Sequence, residues 1–111
     1  MRVFKLQDMI KGWFIGNFEP SVFRTQLVEV AVKEYPAGCK EEKHYHKIAT
    51  EITVVIRGRA QVNGLVIEEG DIVLLNPGET AEFETLESTT TVVVKIPGAN
   101  DDKYVVLESN E

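Results

Sequence analysis

A single cysteine, Cys39, excludes a disulfide within the chain and fits a reducing compartment; beside Gly38 it reads as a small turn residue with no chemical role. No window approaches the roughly 18 consecutive apolar residues a membrane helix needs, and the opening Met1-Arg2-Val3-Phe4-Lys5 lacks the apolar core of a secretory leader. A cytoplasmic protein with no membrane partner is the expectation. Basic residues are the minority, 12 Lys and Arg against 18 Asp and Glu for a net charge of -6, and no basic stripe interrupts them. A surface of that sign repels phosphate backbones, so nucleic acid is not expected as a partner and a small-molecule ligand is. At 111 residues the chain holds one core and no second module. Long helical periodicity is also missing.

What is present is a series of short β-branched runs between Gly, Pro and Asn punctuation, the pattern of an antiparallel all-β sandwich or barrel. Val28, Val30 and Val32 alternate with Glu29, Ala31 and Lys33, which predicts a long strand from Val22 to Tyr35 ended by Pro36-Ala37-Gly38. Further strands are predicted over 41–47, 50–57, 59–62, 65–68, 72–75, 80–86, 89–96 and 103–107, with Asn63-Gly64 as a type I′ hairpin turn. The all-apolar Ile72-Val73-Leu74-Leu75 predicts a strand covered on both faces. Residues 1–20 are less regular, with one helical turn at Gln7-Asp8-Met9-Ile10, and are expected to pack on or lid a barrel formed by 21–111. Trp13 and Phe14 read as closing its mouth or as plain core packing.

On strand 50–57, Glu51, Thr53, Val55 and Arg57 share one face, which leaves Ile52, Val54 and Ile56 on the other in need of cover. A homodimer through that outer face is one expectation; the N-terminal segment or a second sheet layer is the other.

The chain's two histidines stand one residue apart, at His44 and His46, and Glu51 follows five residues later. Because side chains alternate along a strand, both imidazoles can face one side and meet a carboxylate in a two-His, one-carboxylate set suited to a divalent transition metal. Taken alone, the charge-rich Glu41-Glu42-Lys43-His44-Tyr45-His46-Lys47 reads equally as a solvated edge strand.

The spacing Gly38, His44, His46, Glu51, Gly58 resembles the first motif of the cupins in full. The second cupin motif is met in part, by Gly70, Asp71 and Gly78, with Asn76 where proline is usual and Ala81 where that motif places a last histidine. The resemblance implies a single-domain double-stranded β-helix, a jelly-roll barrel, with His44, His46 and Glu51 as ligands inside the barrel and the fourth ligand absent. It leaves the metal open among Fe, Mn, Ni, Co and Zn. Strand parity places Glu82 outside and makes Thr53, Val55, Ala81 and Phe83 the pocket-lining residues, while Lys43, Tyr45 and Lys47 face away. Arg57 falls too far along its strand to reach a metal. Ala81 is expected to widen the pocket beside the ion.

Two functions follow from the resemblance. One is a metal-dependent enzyme, a dioxygenase or sugar isomerase, acting on a small oxygenated substrate such as a sugar or keto acid. The other is a ligand-binding or sensing module without turnover, with or without a metal. No general base is legible; Tyr35 and Glu29 are the only candidates.

Overall fold

The computed structural model describes residues 1–107. The last four positions of the barrel range expected from the sequence, 108–111, lie outside the described residues. A 3-10 turn at Leu6–Asp8 precedes ten strands: β1 (Trp13–Ile15), β2 (Glu29–Tyr35), β3 (Lys40–His46), β4 (Thr50–Arg57), β5 (Arg59–Val62), β6 (Leu65–Glu68), β7 (Ile72–Leu75), β8 (Ala81–Thr85), β9 (Thr89–Ile96) and β10 (Lys103–Val105). They form two five-stranded sheets, ordered β1-β2-β9-β4-β7 and β10-β3-β8-β5-β6. Every strand pair in both is antiparallel. Consecutive strands repeatedly change sheet, which is how a jelly roll wraps one lumen. Among the described residues no helix is long and apolar enough to cross a membrane.

The core is small because the lumen is lined partly by polar groups. Val55, Ala60, Ile67 and Phe83 form its buried cluster, with Tyr35, Val62 and Val73 packed against it. Fully buried threonines do the polar stitching: Thr85 Oγ1 accepts from the Cys39 N–H at 2.9 Å and donates to the Pro36 carbonyl, which ties the β2–β3 turn to β8. The Asn63-Gly64 hairpin forms as expected, with φ of 52° and 80° suited to a type I′ turn.

Three expectations are corrected. The strand expected from Val22 begins only at Glu29, because the preceding segment folds back along β1, where the Val22 N–H donates to the Phe14 carbonyl at 2.8 Å. The apolar run of β7 is not covered on both faces, since Ile72 is 65% exposed and Leu74 55%. Its inward residues Val73 and Leu75 line the lumen while the outward pair face solvent.

The same holds for the outer face of β4. The second sheet covers the inner face, and the N-terminal segment extends the sheet edge by pairing β1 with β2 instead of crossing the outer face. Register there aligns two apolar rows, Val30–Val94–Ile52–Leu74 and Val32–Val92–Val54–Ile72.

Candidate metal centre

His44 and His46 end β3 in one sheet, and Glu51 opens β4 in the other, so the short crossover Lys47–Ala49 brings the three together. Each can offer one ligand atom, and these atoms lie within 4.8 Å of one another. Both histidines are buried and Glu51 is nearly so. The rings stand edge to face at 5.5 Å between centroids. His44 Nδ1 lies 2.8 Å from the Glu42 carbonyl. A carbonyl only accepts, so Nδ1 carries the proton and Nε2 keeps its lone pair for a metal, the usual way a backbone oxygen orients a ligating imidazole. His46 Nδ1 is 3.2 Å from a Glu51 oxygen, and His46 Nε2 is buried with no hydrogen-bond partner among the described residues.

Burial first, then the charges of Lys95 and His44, pushes the His46 imidazole down to about 4, so it is neutral at pH 7 and its contact with Glu51 is not an ion pair. Burial also raises the Glu51 carboxyl above its ordinary value, against the pull of Lys95. A neutral imidazole, a carboxylate disfavoured by desolvation and an orphaned buried nitrogen are the state of a donor set suited to a divalent cation.

Asp102 holds the crossover in place. This buried carboxylate accepts from the backbone N–H groups of Lys47, Ile48 and Ala49 at 2.9–3.2 Å. Burial works against its ionisation, but the three backbone donors outweigh it and hold the carboxyl below its ordinary value. The Gly78 N–H donates to the His46 carbonyl at 2.7 Å and fixes the end of β3 from the opposite side.

The site opens into a cavity of about 1100 Å³. Of the residues placed in the pocket from sequence, Thr53, Ala81 and Phe83 line a smaller inner recess of about 40 Å³ with His44 and Glu51, while Val55 sits in the apolar cluster and lines neither space. Ala81 pairs directly with His44 and is buried. Glu82 points outward to Lys40, 3.3 Å away. Tyr45 stacks on Tyr104 on the outside of its sheet, and Lys47 lies over the same ring. Arg57 leaves the parity of Glu51, because a register shift between Val55 and Arg57 sets it opposite Thr90 and exposes it.

Sequence reasoning missed Glu41. Glu41 pairs with Phe83 and His44 with Ala81, so Glu42 and Lys43 of β3 stand against Glu82 alone of β8, which is a β-bulge. Strict alternation back from His44 turns Glu41 outward; the bulge brings it into the lumen, where it accepts a 2.9 Å hydrogen bond from the Tyr35 hydroxyl. Burial first, then the Glu41 charge, drives the Tyr35 hydroxyl far above its ordinary value, so it acts here as a fixed donor. Glu29, the other base candidate, is buried at the start of β2 and lines neither cavity.

No protein-family model matches the sequence, and neither does any curated protein. Solved structures do. An uncharacterised conserved protein with a double-stranded β-helix domain from Klebsiella pneumoniae superposes with a TM-score of 0.69 at 22% identity, over 97% of this chain and 99% of that one. The lyase DddQ from Ruegeria pomeroyi, which acts on DMSP, gives 0.68 at 21% identity, over 89% of this chain and 52% of its own. Bacillus subtilis oxalate decarboxylase, described with Mn(II) centres, gives 0.63 at 19% identity, over 74% of this chain and 25% of its own. With two antiparallel sheets wrapped about a lumen and these likenesses, the chain has a double-stranded β-helix fold, the jelly roll of the cupins.

Proposed function

We propose that the chain is a metal-dependent enzyme that takes a small oxygenated molecule, a sugar or keto acid, into the lumen above His44, His46 and Glu51. The observation that supports this most is the convergence of three ligand atoms within 4.8 Å, one beside an unpartnered buried nitrogen, on an open cavity of about 1100 Å³. A bound divalent metal would supply Lewis acidity toward a substrate oxygen. The chain's own residues supply the rest: Ala81 leaves room beside His44, and the Tyr35–Glu41 pair presents a carboxylate and a fixed hydroxyl to the same space. Glu41 is the group placed to accept or return a substrate proton. Mn-bearing oxalate decarboxylase has the same fold, which agrees with a metal at this position.

The apolar rows on the first sheet, half-buried along most of their length and exposed at Leu74 and Ile72, belong to this reading as the seat of a homodimer, with a second copy of the chain as the occupant.

Metal analysis of purified protein, beside its His44→Ala variant, tests the centre. Stoichiometric divalent metal in the wild type and its loss in the variant is the expected result; a wild type that takes up no metal on reconstitution would sink the reading. Isomerisation and dioxygen-uptake assays on sugars and keto acids then divide the enzyme classes, and tight ligand binding without turnover would favour a binding module.

A further inference from the structure

An acidic chain gathers lysines around the cavity that holds the two histidines and Glu51. Four glutamates and five lysines line it, the lysines including Lys11, Lys33, Lys95 and Lys103. Among the described residues none of the four has a carboxylate oxygen within ion-pair distance; the ion pairs found lie elsewhere. Two are placed by the metal-ligand strands themselves: Lys95 stands opposite Glu51 across the β4–β9 ladder, and Lys103 opposite His46 across β10–β3. A lysine beside a glutamate in register would ordinarily pair with it. Instead Lys95 turns to Trp13, with its ammonium 4.9 Å from the ring centroid, and Lys33 approaches the same indole at 5.0 Å.

Trp13 is placed to receive both. It pairs with Ala31, which pairs with Val93, and because β2 and β9 run antiparallel, Lys33 and Lys95 lie two residues to either side of that pair on the same inward face, flanking the indole. Ala31 is fully buried and small. The indole face offers attraction to a cation but no neutralising charge. Two ammonium groups are therefore held near one ring and next to the two-His, one-Glu set, partly withdrawn from water and with no carboxylate at ion-pair distance, although Glu41 acts on Lys33 and Glu51 on Lys95 from further off. Burial, Lys11, Lys95 and Lys103 all pull the Lys33 ammonium below its ordinary value, against Glu41, as expected of cations crowded together. An arrangement of this kind is relieved by an anion.

We infer that Lys33 and Lys95, braced on Trp13 and assisted by Lys103, form a carboxylate-binding subsite, so that the molecule taken at the metal centre is an organic acid and not a neutral sugar or ketone. This deepens the proposed function and rests on it for the lumen being the substrate site. The carboxylate would sit at the lysines while the oxygenated end of the molecule reaches His44, His46 and Glu51.

Trp13 is the chain's only tryptophan and lies at the subsite, so its fluorescence reports occupancy. Full-length protein is titrated at constant ionic strength with matched pairs, D-glucuronate against D-glucose and glycolate against ethylene glycol, and the affinities are repeated by calorimetry. Each acid should bind at least about tenfold tighter than its neutral partner, the effect of one or two charge-assisted hydrogen bonds. The double variant Lys33→Met, Lys95→Met should lose that preference, Lys33→Arg with Lys95→Arg should keep it, and Lys40→Met, remote from the cavity, should leave it unchanged. Circular dichroism and melting confirm that each variant is folded. The preference should persist in His44→Ala, which separates this inference from the metal reading. It is overturned if acids show no preference over their neutral partners, if the double Met variant retains the preference, or if His44→Ala abolishes it.

Discussion

Asp102 pins the crossover that joins the three candidate ligands. Its carboxylate gathers three consecutive backbone N–H groups in the crossover that carries the chain from His46 to Glu51. Asp102→Ala strands buried donors and should cost about 2–4 kcal/mol in a denaturant titration at pH 7. The sign of its pH dependence follows from a folded-state carboxyl held below the ordinary value of 3.8. Its stabilisation is complete above that unfolded value and is lost as pH falls through the lower folded one. The gap between wild type and Asp102→Asn should therefore be open at pH 7 and narrow in strong acid; a gap unchanged between the two pH values would show that ionisation is not what holds the loop. Ala81 yields the complementary test. It faces His44 in register at the position where the cupin resemblance implies a fourth ligand, so Ala81→His should tighten Mn(II) or Zn(II) binding by at least about tenfold in a chelator competition. Affinity at or below the wild-type value would mean that position 81 does not border the ion.

At the scale of elements, what was legible in the sequence is what period-two alternation and local spacing encode. Most strands from β4 to β10 were recognisable as β-branched runs set off by Gly, Pro or Asn, while the charge-rich β3 was placed by its histidines, and His44, His46 and Glu51 were recognisable because only short-range spacing is needed to set them side by side. Glu41 was missed and the parity of Arg57 misread for one reason: a bulge adds a residue to a strand and reverses parity beyond it, and nothing in Glu41-Glu42-Lys43 marks it. Asp102 and Lys95 were missed because their roles depend on pairing across more than 40 residues of chain. β1 and the late start of β2 were hidden likewise, since the segment before Glu29 spends its hydrogen bonds on β1. The glycine ending the first cupin motif shows how an element junction constrains sequence. Gly58 has φ of +98°, and a Cβ there would lie 2.3 Å from the Ser88 carbonyl oxygen and 2.7 Å from Thr89 Cα. At Gly64, with φ of +80°, a Cβ meets nothing within 4 Å. Gly64→Ala should thus cost only about 1 kcal/mol of backbone strain, while Gly58→Ala should cost about 3 kcal/mol or more because β4 and β9 must part. Equal losses in thermal melts of the two variants would contradict the steric account.

At the scale of the molecule, the two sheets differ in what their outer faces present. The outer face of β3 and β10 is built from Tyr45, Tyr104 and Lys47, aromatic rings under a cation that tolerate water. The outer face of the other sheet carries two rows of four aliphatic residues, ending at Leu74 and Ile72, both more than half exposed. Four strands of this sheet at about 4.8 Å spacing, bearing apolar side chains over some six residues at about 3.3 Å each, present very roughly 400 Å² in projection per copy. Side-chain relief raises the accessible area above that figure, so two such faces approach the ~1,000 Å² at which a specific interface becomes credible. A flat aliphatic face of this kind matches a second copy of itself under a two-fold axis, because each row meets apolar atoms whichever way the partner strands run. Analytical ultracentrifugation should therefore find a dimer at micromolar concentration. Leu74→Glu should convert it to a monomer by placing a charge on one of the most exposed residues of the face, and Ile96→Glu, beyond the two rows, should weaken it less. The candidate metal ligands lie on the inner faces of the two sheets, so the Leu74→Glu monomer should take up metal as the wild type does. A wild type that sediments as a monomer at all concentrations would leave this face without the partner proposed for it.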